Sequence, residues 1–291
     1  MVGSLKLVCG PQRLLVVSAG LCLAFAVPVS QLAVNDVWKS NQRVPSDVAA
    51  NTKVLYKDLY NSLYEGGYHK SQDTTHAREI VQYYSQMESI KSVLDVGCST
   101  GRGVQLLWGV GKAASGVDIA DLAIKNAYKW RCRHTDGTSP CDVARCGADR
   151  CFQVGSATDL PVQSKTFDAI MSTDVLEHIL KSDVPVLVKE LTRVARQIVT
   201  VKVASMHDLA LYNHGGKTQN GELRGSHGVK NLHVTTEKLK WWVQQFEEHA
   251  NWRLKDVLSE ESYKGFYKGF TASFVPAQAA GRFPTENAPR N

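Results

Sequence analysis

Apolar residues recur along this chain with two different periods, and the alternation between them sets the reading of the fold. Residues 75–90 carry Ala77, Ile80, Val81, Tyr84 and Met87 at three- and four-residue spacing, a helical stripe with Thr75 suited as its N-cap. A short strand, 92–96, then carries an apolar run that ends in an acid and breaks at a glycine-rich turn from Gly97, the form of a buried strand meeting a turn. The succession repeats: helix from about 103 to 108, strand 114–119, helix 119–131, strand 152–155, strand 169–172, helix 185–194, strand 198–203. Strands alternating with helices imply right-handed crossovers and a parallel sheet. After Ala204 the pattern loosens into a loop rich in glycine and histidine, followed by a helix at 236–248 and aromatic strands around 252–258 and 270–274. Upstream, 55–64 predicts a short helix with its aromatic face inward, and Glu65-Gly66-Gly67-Tyr68 a turn.

Outside this alternating region the ends read differently. Residues 1–13 hold Lys6 and Arg13 and no acid, and the stretch from Leu14 to Val29 is almost wholly apolar, with the first acid at Asp36. A basic start before an apolar run is the pattern of a secretory signal. Continued to Val34, the run would reach about 31 Å as a helix at ~1.5 Å per residue, enough for a bilayer core. A signal anchor at 1–34 is therefore expected, with a signal peptide cleaved near Ala24-Phe25-Ala26 as the alternative and a mitochondrial transit peptide third. Residues 35–54 read as a polar linker or stem, 55–275 as one domain, and 276–291 as a disordered tail. Membrane attachment through the first segment places the domain in the secretory pathway, in the lumen of the Golgi or endoplasmic reticulum; cleavage would make the protein secreted.

Composition adds little. Of 291 residues, 43% are hydrophobic and 21% charged, ordinary for a globular chain, and the net charge is a mild +6. The densest basic run, Lys125, Lys129, Arg131, Arg133 and His134, reads as a solvated helix face, and no nucleic-acid-binding module or basic–aromatic stripe is present. Cys132, Cys141, Cys146 and Cys151 cluster within an insertion at 130–151. Their gaps of eight, four and four residues lack a C-x-x-C knuckle, so no metal site is assigned and two local disulfides are expected, in one of three pairings.

The chemistry concentrates at strand ends. The segment Leu94-Asp95-Val96-Gly97-Cys98-Ser99-Thr100-Gly101 places an acid and a glycine turn where a ligand's approach needs no Cβ in the way. It closely resembles the first motif of class I S-adenosylmethionine-dependent methyltransferases. Gly116-Val117-Asp118-Ile119, Ala157-Thr158-Asp159-Leu160-Pro161 and Phe167-Asp168-Ala169-Ile170 through Asp174-Val175-Leu176-Glu177-His178 are similar to the later motifs, as in the small-molecule branch of that family. Ser99 stands where many members carry a third glycine. The resemblance covers roughly residues 75–205. It implies an α/β fold with a doubly wound, mostly parallel seven-stranded sheet, helices on both faces, and S-adenosylmethionine as cofactor. A nicotinamide-dependent dehydrogenase, the rival for such a sheet, would need G-x-G-x-x-G before the helix, which Gly97 to Gly101 does not supply.

On this reading Asp95, Gly97, Cys98, Ser99 and Gly101 border the cofactor's methionyl part. Asp118, 21 residues after Gly97, takes the ribose hydroxyls, with Ile119 beside it. Thr158, Asp159 and Leu160 attend the adenine, and Ser172 and Asp174 complete the rim. Taken singly, Asp118 equally suits a helix cap and Asp159 a turn before Pro161. Transfer to a hydroxyl requires a base, and His178, His214 and His233 are the candidates. His207, His227, Tyr68, Tyr212 and Asn213 add to an expected polar acceptor pocket, with Asp174 and Glu177 orienting its loop. The acceptor expected is a sugar, glycan or small metabolite. N-methylation of a small amine, or a catalytically silent binding module, are the alternatives.

Overall fold

Strand β1 (Ser92–Val96) lies at the centre of the sheet, flanked by β2 (Ala113–Asp118) and β4 (Phe167–Thr173), both parallel to it. The structure is a computed structural model and describes residues 46–67, 75–132, 141, 143–206, 232–263 and 266–277. The apolar segment 1–34, the first part of the stem, His207, Tyr212, Asn213, His214, His227, Tyr68, Arg133, His134 and the tail from 278 lie outside the described residues. No helix among those described is long and apolar enough to cross a membrane.

Among the described residues the strands form one seven-stranded sheet in the order β3-β2-β1-β4-β5-β7-β6. β3 (Phe152–Val154) and β5 (Ala195–Ala204) continue the parallel set, whereas β7 (Phe266–Pro276) pairs antiparallel with β5 and with the edge strand β6 (Trp252–Tyr263). The mostly parallel sheet expected from the sequence is therefore present. The last two strands run longer than the aromatic positions suggested; in β6 the extra length includes the polar, exposed residues Glu260, Glu261 and Ser262.

Neighbouring residues of a strand bury opposite side chains, and the core divides accordingly. On one face Val93, Ala114, Ala169 and Met171 pack under α2 (Arg78–Ser85), α3 (Arg102–Gly109) and α4 (Asp121–Arg131). On the other, Leu94, Val117, Ile170, Val199 and Phe274 pack under α5 (Val184–Val194) and α6 (Leu239–Ala250). That is the doubly wound arrangement. Its strand order reverses between β1 and β4, and the crevice beyond their carboxyl ends is where such sheets bind ligands.

Helix α1 (Ser46–Glu65) begins nine residues before the predicted start and takes in the second half of the stretch read as a linker. The polar residues Asn51, Thr52 and Lys53 dilute its apolar stripe. Its later turns cross the strand ends: Tyr64 packs on Ala120 and Ala123, and Leu59 and Leu63 on Leu232. The cysteine-rich insertion is closed by disulfides Cys132–Cys141 and Cys146–Cys151, which resolves the pairing among the three open to the sequence. It is fastened to the sheet by Ser115, whose hydroxyl donates to the Arg150 carbonyl at 2.9 Å.

Candidate active site

Two adjoining cavities open beyond the ends of β1, β2 and β4. The larger, about 290 Å³, is walled by Gly97, Ser99, Asp118, Ile119, Ser156, Ala157, Thr158, Asp174, Val175 and His178. Tyr56, Tyr60 and Tyr64 of α1 close it on the outer side. The smaller, about 50 Å³, holds Asp95, Cys98, Thr100, Gly103 and His76, and shares Gly97, Ser99, Thr173 and Asp174 with the first.

The glycine turn sets this geometry. Gly97 has φ +80°, and a Cβ there would stand 2.1 Å from Val175 Cγ2, so only glycine lets the turn pass beneath the segment after β4. Ser99 occupies the left-handed region at φ +50°. Its backbone N–H donates to Asp118 at 2.8 Å, and its hydroxyl accepts from Tyr64 at 2.6 Å, two bonds that hold the unusual residue in place. Arg131 belongs to this loop as well: its Nε donates to the Thr100 carbonyl at 3.0 Å. The basic run is therefore partly an anchor for the turn, while Lys125 and Lys129 show the exposed face expected of it.

The carboxylates differ in their surroundings. Asp118, 8% exposed, accepts from the N–H groups of Ser99 at 2.8 Å and Ala120 at 2.9 Å while still lining the cavity. It braces the turn ahead of α4, whose N-cap is Ala120, and walls the cavity as well. Asp95 is 3% exposed, and among the described residues no hydrogen-bond donor meets its side chain. Burial, helped by the charge of Asp118, pushes the Asp95 carboxyl up to about 7. Burial alone raises Asp118 to about 6, against the pull of its N–H partners. Asp174, itself at φ +53°, accepts from His76 Nδ1, and that bond raises the imidazole's pKa. Burial pushes the Cys98 thiol well above its ordinary value, so Cys98 is a packing residue; its sulfur fills the space left by the absent side chain of Gly116.

Four assigned positions fall elsewhere. Asp159 is exposed and lines neither cavity; its charge acts on Arg193 from outside. Leu160 is part of the core, and its N–H bonds Glu190. Ser172 is wholly buried and donates to the Val96 carbonyl at 2.8 Å, tying β4 to β1. Gly101 caps α3 in a left-handed conformation against Phe152 without entering either cavity. Conversely, His76 and the three tyrosines were not assigned. The tyrosines repeat every four residues on α1, a signal that the predicted inward aromatic face of 55–64 already contained.

His178 is brought to the larger cavity and is 8% exposed. Its Nδ1 lies 3.1 Å from the Leu232 carbonyl, which can only accept, so Nδ1 carries the proton and Nε2 the lone pair. Burial, reinforced by His233, lowers its pKa to about 3 and keeps the ring neutral. His233 stands edge-on to it, ring centroids 4.9 Å apart, with its own Nδ1 2.6 Å from the Met206 carbonyl. The described walls around His178 include Tyr60, Ile179, Leu180 and Val186; the residues expected to line a polar acceptor pocket, His207, Tyr212, Asn213, His214, His227 and Tyr68, lie outside the described residues.

Residues 94–198 match a family model described as a methyltransferase domain. No curated protein matches the sequence. Similar solved structures include magnesium protoporphyrin IX methyltransferase from Synechocystis with bound SAH, 13% identical, covering 84% of this chain and 92% of that one at a TM-score of 0.49. A second is an S-adenosylmethionine-dependent methyltransferase from Clostridium acetobutylicum, 14% identical over 69% of this chain and 90% of that one, TM-score 0.49. A third is a protein from Pyrococcus horikoshii, 19% identical over 70% and 92%, TM-score 0.46.

Proposed function

We propose that this chain, a class I S-adenosylmethionine-dependent methyltransferase, O-methylates a hydroxyl of a sugar, glycan or other small metabolite in the secretory pathway. The cofactor supplies a methyl group already activated on a sulfonium centre, which leaves the protein to hold it, align the acceptor and accommodate a proton.

The residues present fit that cofactor. Asp95 is a buried carboxylate beside a cavity, and a ligand bearing ammonium and sulfonium charge supplies the counter-charge that burial otherwise denies it. Asp118 keeps lone pairs free on both oxygens after its two N–H bonds, as a ribose diol requires. Ile119, Ala157 and Thr158 would flank the base, while Asp159 and Leu160, expected beside it, line neither cavity. Tyr56, Tyr60 and Tyr64 exclude water from the same cavity and shape its acceptor end.

The observation that carries the choice of a hydroxyl acceptor is the neutral His178 on the cavity wall, with Nδ1–H spent on a carbonyl and Nε2 left as an acceptor. An imidazole so held receives a hydrogen bond from an acceptor O–H and fixes the oxygen lone pair for attack. The two disulfides support an oxidising compartment, as does the apolar N-terminal segment. Incubating the full chain with S-adenosylmethionine and matched panels of alcohols, sugars, acidic sugars and amines, and measuring released S-adenosylhomocysteine, tests the reading. Turnover on hydroxyl acceptors is expected; turnover on amines alone overturns it.

A further inference from the structure

Glu177, His178 and His233 each offer one ligand atom, and these atoms lie within 4.8 Å of one another. They come from two segments. Glu177 and His178 sit in the 3₁₀ turn Leu176–His178 after β4, and His233 precedes α6. The segments are joined by backbone bonds from Val234 and Thr235 N–H to the Glu177 carbonyl, at 2.8 and 2.9 Å. From this geometry we propose that Glu177, His178 and His233 bind a divalent transition-metal ion that activates the acceptor hydroxyl for methylation.

The histidines are held in the orientation a metal ligand needs. Both Nδ1 atoms face backbone carbonyls, Leu232 for His178 and Met206 for His233, so both rings are fixed as the tautomer whose Nε2 is an electron-pair donor. A carbonyl on the far nitrogen is the usual outer support of a metal-bound imidazole, because it sets ring orientation and raises basicity. Glu177 is fully buried and steadied by the Ala204 N–H at 3.1 Å. Two imidazole nitrogens and one carboxylate oxygen make a three-protein-ligand set that leaves coordination positions open, suited to a divalent ion of the manganese-to-zinc series. His178 also belongs to the cavity wall, so those open positions border the acceptor.

This inference rests on the O-methylation reading and changes one part of it: His178 Nε2 ligates the ion, and the ion rather than the ring meets the acceptor oxygen. A hydroxyl bound to the ion has a lowered pKa and loses its proton to solvent. Its oxygen then forms the new O–C bond while the C–S bond breaks, the electron pair passing to sulfur to give S-adenosylhomocysteine. The competing arrangement is a proton shared between Glu177 and His233, which would take up no metal.

The test uses the full chain, stripped with chelator, desalted, and titrated with cobalt(II) chloride while visible d–d absorption is followed. One equivalent should saturate the band, and zinc should displace it. Glu177→Gln, which keeps an acceptor for the Ala204 N–H, and His233→Gln should each weaken cobalt binding at least tenfold. Their retained binding of S-adenosylhomocysteine reports an intact fold. No saturable band up to millimolar cobalt, or variants that bind cobalt as tightly as the parent chain, overturns the site. Cobalt binding without any methylation of hydroxyls would instead sink the acceptor assignment and leave the metal site standing.

Discussion

A Cβ added to Gly103 would stand 2.4 Å from Asp95 Oδ2, so the start of α3 and the acid of β1 occupy one shared space. That is why the glycine run extends to a residue inside the helix. Gly103→Ala must displace the carboxylate or the helix, at about 1–3 kcal/mol of overpacking. Thermal unfolding should show that loss, and calorimetry should show cofactor affinity about tenfold weaker, equivalent to ~1.4 kcal/mol.

Asp118 and Asp159 looked alike as strand-end acids, but only Asp118 lines the cavity. Replacing Asp118 by Asn removes a charge-assisted partner of the ribose, a contribution of about 1.5–3 kcal/mol. Calorimetric titration of Asp118→Asn should therefore give cofactor binding roughly 10- to 100-fold weaker by the same energy scale. Asp159→Asn should bind within about twofold of the parent, since Asp159 lies outside both cavities. Equal losses in the two variants would contradict the geometry.

Asp95 and Asp118 also predict an unusual pH dependence. Their carboxyls ionise near 3.8 in the unfolded chain but at about 7 and about 6 in the fold. Between those values the unfolded chain has released protons the fold retains, so stability falls as pH rises, by about 1.4 kcal/mol per unit for each group. The loss begins near pH 4 and is complete above about 7. Ligand-free melting temperatures should decline across this window, and Asp95→Asn should flatten the decline. Cofactor affinity should run the opposite way, climbing through pH 6–7 as Asp95 ionises to meet the cation.

The disulfides make a structural prediction. Cys146 and Cys151 are buried within the core cluster that also holds Phe152 of β3. Closing loops this short contributes about 2–3 kcal/mol in the chain-entropy account. Cys146→Ala with Cys151→Ala should thus lower the melting temperature by several degrees and loosen β3 in hydrogen exchange. The same change at Cys132 and Cys141, whose loop lies at the end of α4, should cost less in β3 protection.

The sheet was legible because its buried strands are short, largely apolar segments bounded by turn signals, and the predicted 92–96 matches β1 to the residue. The cofactor turn was legible because glycines, an acid and a strand end must be consecutive in sequence. What escaped depends on contacts between distant segments. The tyrosines of α1 become cavity walls only because α1 crosses the strand ends, and His76 matters only through Asp174. Asp159 and Ser172 have suitable residue types, but their local turns direct one outward and the other into the sheet. Glu177 and His178 meet His233 across 55 residues, through backbone bonds no pattern of side chains announces.

Asp95, Asp118 and the turn from Gly97 are proposed to converge on one sulfonium nucleoside. Isothermal titration of the full chain with S-adenosylmethionine tests it most directly. The account predicts saturation at one equivalent with micromolar affinity at pH 8, much weakened in Asp95→Asn. No saturable binding by the parent chain, or binding indifferent to that substitution, would contradict it.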